Sequence, residues 1–139
     1  MELSLKKYLS TALKWLIPFA FLELLMCILY FARIIDSDLF AIINLVSIVF
    51  ILPSGVFYLI MFFIYKKKCK GFTPAEGVIM NWEPGFYRYT GSVIIKVDNK
   101  EYSTSAYFNY EDCKELVGKT ISYAIIDEIL FIYRIIEQE

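Results

Sequence analysis

The chain has 139 residues, 58% of them hydrophobic, and a formal net charge of −1 at pH 7. The hydrophobic share exceeds that of an ordinary soluble domain, and it is concentrated in the first half of the sequence. The chain has no histidine and only three cysteines at irregular spacing, so we expect no metal site, no disulfide framework and no cofactor.

Two long apolar runs, Trp15–Ile35 and Leu39–Tyr65, dominate residues 1–70. Each run is long enough to cross a bilayer core of about 30 Å, which predicts two transmembrane helices joined by a short turn at Asp36-Ser37-Asp38. The first run is too long for a signal peptide and no small-residue cleavage site follows it, so we expect it to be retained.

The positions of the lysines around the two apolar runs predict the orientation in the membrane. Lys6, Lys7 and Lys14 precede the first run, whereas only Arg33 lies near the connecting turn. Because positively charged flanks stay in the cytoplasm, the pattern predicts a multi-pass protein of the cell membrane with both termini cytoplasmic. The residues after the second run form a basic collar that we expect to contact anionic lipid: Lys66, Lys67, Lys68 and Lys70.

Glu23 lies near the middle of the first run, where an ionised carboxylate costs several kcal/mol. We therefore expect its side chain to be protonated or hydrogen-bonded. If the hairpin turns near Ser37, Glu23 lies level with Val49 to Ser54, which makes Ser54 and Ser47 candidate partners.

The stretch Pro53-Ser54-Gly55 should kink the second helix, because proline lacks an N–H group. The carbonyl of Val49 then has no donor, and a protonated Glu23 could supply one. Asn44 is the remaining intramembrane polar residue, expected to form a hydrogen bond within the helix pair.

Three roles fit Glu23. It could be a protonated contact between the two helices, a polar contact with another membrane subunit, or a proton-linked transport site. Two helices are too few to enclose a pathway, so transport would require a homo-oligomer.

In residues 71–139 the hydrophobic pattern changes from long apolar runs to short runs rich in β-branched and aromatic residues. Asn109 should cap a short helix that Gly118 ends. The order of elements predicts a small five-stranded OB-like β-barrel, with an SH3-like barrel as the rival. The predicted strands are Gly77–Trp82, Arg88–Val97, Glu101–Phe108, Thr120–Ile126 and Ile129–Ile136.

Two segments of the β region have turn chemistry. Glu83-Pro84-Gly85-Phe86 fits a type II turn, which places glycine where φ is positive. Asp98-Asn99-Lys100 fits a tight hairpin, because Asp and Asn tolerate the left-handed backbone.

The fifth predicted strand is apolar on both faces. Ile129, Phe131, Tyr133 and Ile135 are expected to face the core, together with Val93, Ile95 and Val97 and with Ile121, Tyr123 and Ile125 of the neighbouring strands. The opposite face is either covered within the chain or is a contact surface. It supplies the candidate partner residues Leu130, Ile132, Arg134 and Ile136.

Charge and residue types disfavour other function classes. Residues 71–139 contain eleven acidic and six basic side chains, so we expect no nucleic-acid binding despite the many tyrosines. The sequence has no phosphate-binding glycine loop and no serine with an adjacent base, so we expect no enzyme.

The segments Val97-Asp98-Asn99-Lys100-Glu101-Tyr102 and Val117-Gly118-Lys119-Thr120-Ile121-Ser122-Tyr123 resemble a hairpin and the following strand in small bacterial membrane proteins with a compact β domain. The layout of two spans plus a barrel is similar to that of the membrane-bound NfeD-like proteins. This resemblance implies a bacterial membrane scaffold or accessory subunit, and it supplies no catalytic residues.

The sequence thus predicts residues 1–70 as a membrane hairpin with its collar, and residues 71–139 as a cytoplasmic domain that binds a protein partner. The leading hypothesis is an accessory or scaffold subunit of a membrane complex. The alternative is an immunity protein against a toxin or bacteriocin, because the acidic domain would suit a basic toxin. Proton-linked transport through Glu23 is the least favoured hypothesis.

Overall fold

The computed structural model describes residues 2–86, 89–105 and 108–137. The chain divides into two compact units. Tyr8–Phe63 forms a helical unit, and Met1–Lys7 together with Ile64–Glu139 forms a second unit that is mainly β-sheet. Both ends of the helical hairpin thus belong to the β unit.

Two helices are long and apolar enough to cross a membrane, by length and composition. The first, α1, is Leu3–Phe31. The second runs without a break from Ser37 to Cys69 and consists of α2 (Ser37–Val46), a π-helical turn (Ser47–Ile51) and α3 (Leu52–Cys69).

The turn between the helices comes earlier than the sequence predicts. Helix α1 begins well before Trp15 and ends at Phe31, and Arg33 takes a positive φ of 56°. Asp36 caps α2 by accepting a hydrogen bond from the Leu39 N–H at 2.8 Å. The turn is therefore centred before Ser37.

The β unit contains two antiparallel sheets and one short helix. One sheet has the order β1-β6-β7, and the other has the order β2-β3-β4 with β5 also paired to β3. The elements are β1 (Ala75–Val78), β2 (Asn81–Pro84), β3 (Thr90–Val97), β4 (Lys100–Ser103), β5 (Phe108–Asn109), α4 (Tyr110–Leu116), β6 (Thr120–Ile126) and β7 (Ile129–Ile136).

The predicted first strand, Gly77–Trp82, is broken at Ile79 and Met80, and its two halves pair with different sheets. The Ile79 N–H donates to the Lys119 carbonyl at 3.1 Å, and the Met80 N–H donates to the Ile94 carbonyl at 2.9 Å. Because one segment serves both sheets and β4 does not pair with β7 in the described part of the chain, the strands do not form the predicted closed five-stranded barrel.

Other strand predictions differ in their bounds. The predicted strand Glu101–Phe108 is replaced by the short β4 and the two-residue β5. Its residues 106 and 107, and the predicted start of the second strand at Arg88, lie outside the described residues. The bounds predicted for β6 and β7 are confirmed.

One of the two predicted turns is confirmed. Asp98 and Asn99 have φ values of 51° and 64°, as a tight hairpin requires. The type II turn is wrong: Gly85 does not have a positive φ, and Pro84 pairs with Gly91 as the last residue of β2. Proline is tolerated there because it ends the strand.

The predicted short helix is confirmed as α4. The Asn109 side chain accepts a hydrogen bond from the Asp112 N–H at 2.7 Å, which caps the helix start. After the helix, Gly118 has a φ of +84°. A left-handed glycine in that place lets the chain turn into β6.

The core lies between the two sheets and α4. The prediction of which face of β7 points into this core was wrong. Leu130 and Ile132 are fully buried in the core instead of the predicted Phe131 and Tyr133. The alternation of side chains along the strand could not show which face points into the core, because both faces are apolar. The core residues are Ile79, Val93, Ile95, Phe108, Cys113, Leu116, Ile121, Tyr123, Leu130 and Ile132.

The second face of β7 is covered within the unit. Phe131, 1% exposed, stacks on Tyr65 of α3 with ring centroids 5.7 Å apart. The Tyr133 hydroxyl donates to the Cys69 carbonyl at 3.2 Å. The last turns of α3 therefore lie on β7, and both apolar faces of this strand are buried.

This cover corrects the candidate partner surface. Leu130 and Ile132 have no exposed area, so they cannot bind another protein in this fold. Arg134 is exposed and Ile136 is half-buried. Of the two alternatives for the second face of β7, cover within the chain is therefore the correct one.

The first turn of α1 completes the β unit. The buried Ser4 hydroxyl accepts a hydrogen bond from the Ile132 N–H at 2.9 Å. In a hairpin closed by a two-residue turn between Ile126 and Ile129, the Ile132 N–H points away from β6. Ser4 therefore takes the place of a neighbouring strand at this edge.

We expect Ser4→Ala to destabilise the β unit by about 1–3 kcal/mol, because it leaves a buried N–H without an acceptor. Hydrogen exchange on the full-length protein in mild detergent should show faster exchange of the Ile132 amide. The control is Ser10→Ala, an exposed position on the same helix, which should leave this exchange unchanged. Equal effects of both changes would contradict the assigned role of Ser4.

Candidate functional site

Glu23 lies on the face of α1 that packs against the second helix, at the level of Ser47. Two contacts fix this level: Leu16 lies against Gly55, and the Tyr30 and Phe40 rings stack with centroids 4.7 Å apart. Glu23 is midway between Leu16 and Tyr30, and Ser47 is close to midway between Phe40 and Gly55. The earlier turn thus shifts Glu23 away from Ser54, one of the two candidate partners, and towards the level of the other, Ser47.

One carboxylate oxygen of Glu23 is enclosed and unpaired. Oε1 has less than 1 Å² of exposed area and no hydrogen-bond partner among the described residues. The second helix has no charged side chain between Leu39 and Tyr65. An ionised carboxylate would therefore have no counter-charge on the helix against which it packs.

Two other intramembrane polar side chains, Asn44 and Ser54, bond to their own helix. Asn44 Nδ2 donates to the Phe40 carbonyl at 2.9 Å. The Ser54 hydroxyl donates to the Phe50 carbonyl at 3.1 Å. Each bond reaches back one turn, which is common for polar residues within apolar helices. Neither side chain satisfies Glu23.

A π-helical turn lies opposite Glu23. It starts at Ser47, which is 2% exposed, and the Leu52 N–H donates to the Ser47 carbonyl. Pro53 follows directly and has no N–H to offer to the carbonyl of Val49, one turn earlier. Wide turns of this kind are frequent at functional sites. The kink expected at Pro53–Gly55 remains a prediction.

Gly55 allows the two helices of the hairpin to approach closely. A Cβ atom at this position would lie 2.6 Å from the Leu16 side chain and 3.2 Å from the Cβ of Trp15. Because a methyl group would collide with both neighbours, the close approach requires glycine.

The lysines at the helix ends are partly used in ion pairs with the β unit. Lys7 Nζ lies 2.6 Å from Asp112 Oδ2, and Lys68 pairs with Asp127. The hydrogen bond to Asp127 raises the pKa of Lys68. All four lysines of the predicted basic collar, Lys66, Lys67, Lys68 and Lys70, are exposed. One of them, Lys68, also pairs with Asp127 in the turn between β6 and β7.

Three exposed apolar side chains surround the break between β1 and β2, and we call them the switch patch: Val78, Met80 and Val117. Their exposed fractions are 55%, 46% and 37%. The Gly118 N–H donates to the Ile79 carbonyl at 2.9 Å, which brings Val117 beside the break. The predicted strand Gly77–Trp82 contained the sequence signal for this patch, but no faces were assigned to that strand.

We expect Gly55→Ala to destabilise the helical unit by about 1–3 kcal/mol, because the added methyl group forces Leu16 and the helix backbones apart. Thermal unfolding of the detergent-solubilised protein would measure this. Gly71→Ala is the matched control, since its methyl group would meet only the Lys68 carbonyl at 3.6 Å. An unchanged midpoint for Gly55→Ala would show that the helices do not pack closely at this residue.

The stability of the β unit should fall as the pH rises from 9 to about 11. Burial of the Cys113 side chain raises the pKa of its thiol from 9.0 to about 11, so above pH 9 the unfolded chain loses this proton first. We expect a loss of about 2 kcal/mol over this range. Denaturant unfolding of the wild type and of Cys113→Ala would show it as a pH slope that the variant lacks; parallel slopes would contradict the assignment.

Comparison with known protein families, curated proteins and solved structures gives no match for this chain. The similarity to NfeD-like proteins therefore stays an expectation from the sequence. The functional argument depends on the residues described above, chiefly the enclosed Glu23, the close helix contact at Gly55 and the switch patch.

Proposed function

We propose that this chain is a non-enzymatic two-pass membrane protein whose cytoplasmic β domain binds a protein partner, as an accessory or scaffold subunit of a membrane complex. The observation that carries the proposal is the switch patch on a β unit joined to both ends of an apolar hairpin. Partner, membrane and orientation are supported by separate observations.

Membrane insertion is supported by the surface of the helical unit. Phe21, Leu24, Ile42, Leu45 and Phe50 are each more than half exposed. Within the apolar windows of the two helices, only 11% and 17% of the residues are buried. Core helices of a soluble protein are mostly buried, so lipid is the solvent that suits these surfaces.

A cytoplasmic position for both ends is supported by the lysines that flank the two helices. Lys14 precedes the central part of α1, and Lys66, Lys67 and Lys70 are exposed at the end of α3. The turn between the helices carries one cation, Arg33, together with Asp36 and Asp38. This asymmetry agrees with the positive-inside rule.

An open OB-like arrangement is the fold that we propose for the β unit. The segment of β1 and β2 pairs with β6 on one side and β3 on the other, and β4 lies beside β7 without pairing to it. Bringing β4 and β7 together would close the strand order of an OB-like barrel. The first turn of α1 occupies the edge of β7 through Ser4.

The switch patch is the surface that we propose for the partner. Exposed apolar side chains that group around one backbone feature are typical of protein contacts rather than of solvated sheet. Ile79 lies between Val78 and Met80 and is 1% exposed, so the core fixes the backbone that carries both side chains. A rigid apolar surface loses little entropy on binding.

The proposal is tested by placing a photo-crosslinking amino acid at Met80 in the full-length protein, expressed in its own host. We expect one membrane protein to be crosslinked in stoichiometric amount. A crosslinker at Lys96, exposed on β3, is the control and should capture none of it. Capture of no protein at Met80, or of the same proteins at both positions, would contradict the proposed surface.

An immunity protein is the second candidate, favoured by the excess of eleven acidic over six basic side chains in residues 71–139. An acidic domain attracts a basic toxin and speeds its association. This hypothesis predicts that deleting the gene sensitises the host to a toxin encoded beside it. It also predicts that the Met80 crosslink appears only when the toxin is present.

A further inference from the structure

We propose that Glu23 and the π-helical turn Ser47–Ile51 form a proton-binding site inside the helical hairpin. Glu23 takes a proton from the aqueous phase and, as a carboxylic acid, donates it in a hydrogen bond to a main-chain carbonyl of the turn. This inference rests on the membrane insertion proposed above, but it is independent of the partner and of the switch patch.

The position of the carboxyl group is the first observation. The contacts of Leu16 with Gly55 and of Tyr30 with Phe40 place Glu23 level with the start of the π-helical turn. Oε1 is enclosed by protein atoms rather than by lipid or water. The group therefore lies inside the hairpin, at the level of the irregular backbone.

The turn offers acceptors and few donors. Its Leu52 N–H is already bonded to the Ser47 carbonyl, and Pro53 has no N–H. The Ile48 carbonyl therefore loses Leu52, its regular donor, and the Val49 carbonyl has no N–H on Pro53 to bond. A carboxylate can only accept hydrogen bonds, whereas a carboxylic acid can also donate one. Only the protonated form of Glu23 matches this set of acceptors.

No neighbouring charge would stabilise the ionised form. The second helix presents only Asn44, Tyr58 and serine hydroxyls as polar groups between Leu39 and Ile64, and the nearest titratable neighbour on α1 is Cys27. Asn44 and Ser54 donate to carbonyls of their own helix. An isolated carboxylate inside a bilayer is costly, and proton uptake removes this cost.

The chemistry is a single reversible proton transfer. The carboxylate gains one proton and loses its charge, and no other bond forms or breaks. The reverse step returns the proton to water and leaves an ionised group inside the hairpin. Occupancy of the site therefore depends on pH and changes the charge of the helical unit by one.

The experiment uses the full-length protein in liposomes and dicyclohexylcarbodiimide, an apolar reagent that reacts with protonated carboxyl groups. Peptide mass mapping should find the adduct on Glu23, with a labelling rate that falls as the pH is raised. Glu23→Gln should abolish this adduct. Asp38→Asn, an exposed carboxylate in the turn region, is the control and should leave Glu23 labelling unchanged.

Pro53→Ala tests the part played by the turn. Alanine supplies an N–H that can bond the Ile48 or the Val49 carbonyl, so the turn has one acceptor fewer for Glu23. We expect the labelling rate of Glu23 at neutral pH to fall about fivefold, the equivalent of one lost hydrogen bond. An unchanged rate would overturn the assignment of the π-helical turn as the acceptor.

Three further outcomes show whether this inference fails alone or together with the proposed function. Extraction of the protein from membranes by alkaline carbonate would show that the hairpin is not inserted, and it would overturn both proposals. A membrane-embedded protein whose Glu23 is not labelled at any pH would overturn the proton site alone. Protection of Glu23 by sodium ions would show a metal cation in the site and would also overturn it.

Discussion

Strand β7 is apolar on both faces, and the β unit is arranged so that both faces of its central part, Leu130 to Ile132, are buried. One face supplies Leu130 and Ile132 to the core between the sheets. The other face carries Phe131 and Tyr133, which the last turns of α3 cover. Because a strand of this kind is stable only when it is covered twice, the hairpin ends are part of the β unit and not merely attached to it.

The same requirement explains why a boundary after the basic collar is physically unfavourable. A fragment that begins at residue 71 would lack Tyr65 and Cys69 and would expose the apolar side of Phe131. It would also lack Ser4, the acceptor for a buried N–H of β7. Residues 64–139 with 1–7 are the compact unit that the contacts define.

Local chemistry made several elements predictable from the sequence. Asp127 and Glu128 interrupt a long apolar stretch, so the bounds of β6 and β7 could be placed correctly. Asn109 is a strong helix cap, and α4 starts after it. The two apolar helices followed from the length and composition of the two apolar runs.

Tertiary packing decided what the sequence did not predict. No glycine or proline marks the break at Ile79 and Met80, since the break comes from pairing with two sheets. The face of β7 was ambiguous because both faces are apolar. Of the predicted partners of Glu23, Ser54 was misplaced because α1 ends at Phe31, which moves the hairpin turn and every facing pair with it. The enclosed oxygen itself could not be foreseen without coordinates.

The hydrogen bond between Ser4 and Ile132 joins the beginning of the chain to its last strand. During synthesis β7 emerges from the ribosome only after both apolar helices, so the Ser4 hydroxyl has no Ile132 N–H to bond until β7 has been made. The β unit therefore reaches its final form only after both apolar helices have been synthesised. Premature termination before β7 would leave the first turn of α1, the end of α3 and the edge of β6 without their common neighbour, and quality-control proteases would find these surfaces exposed.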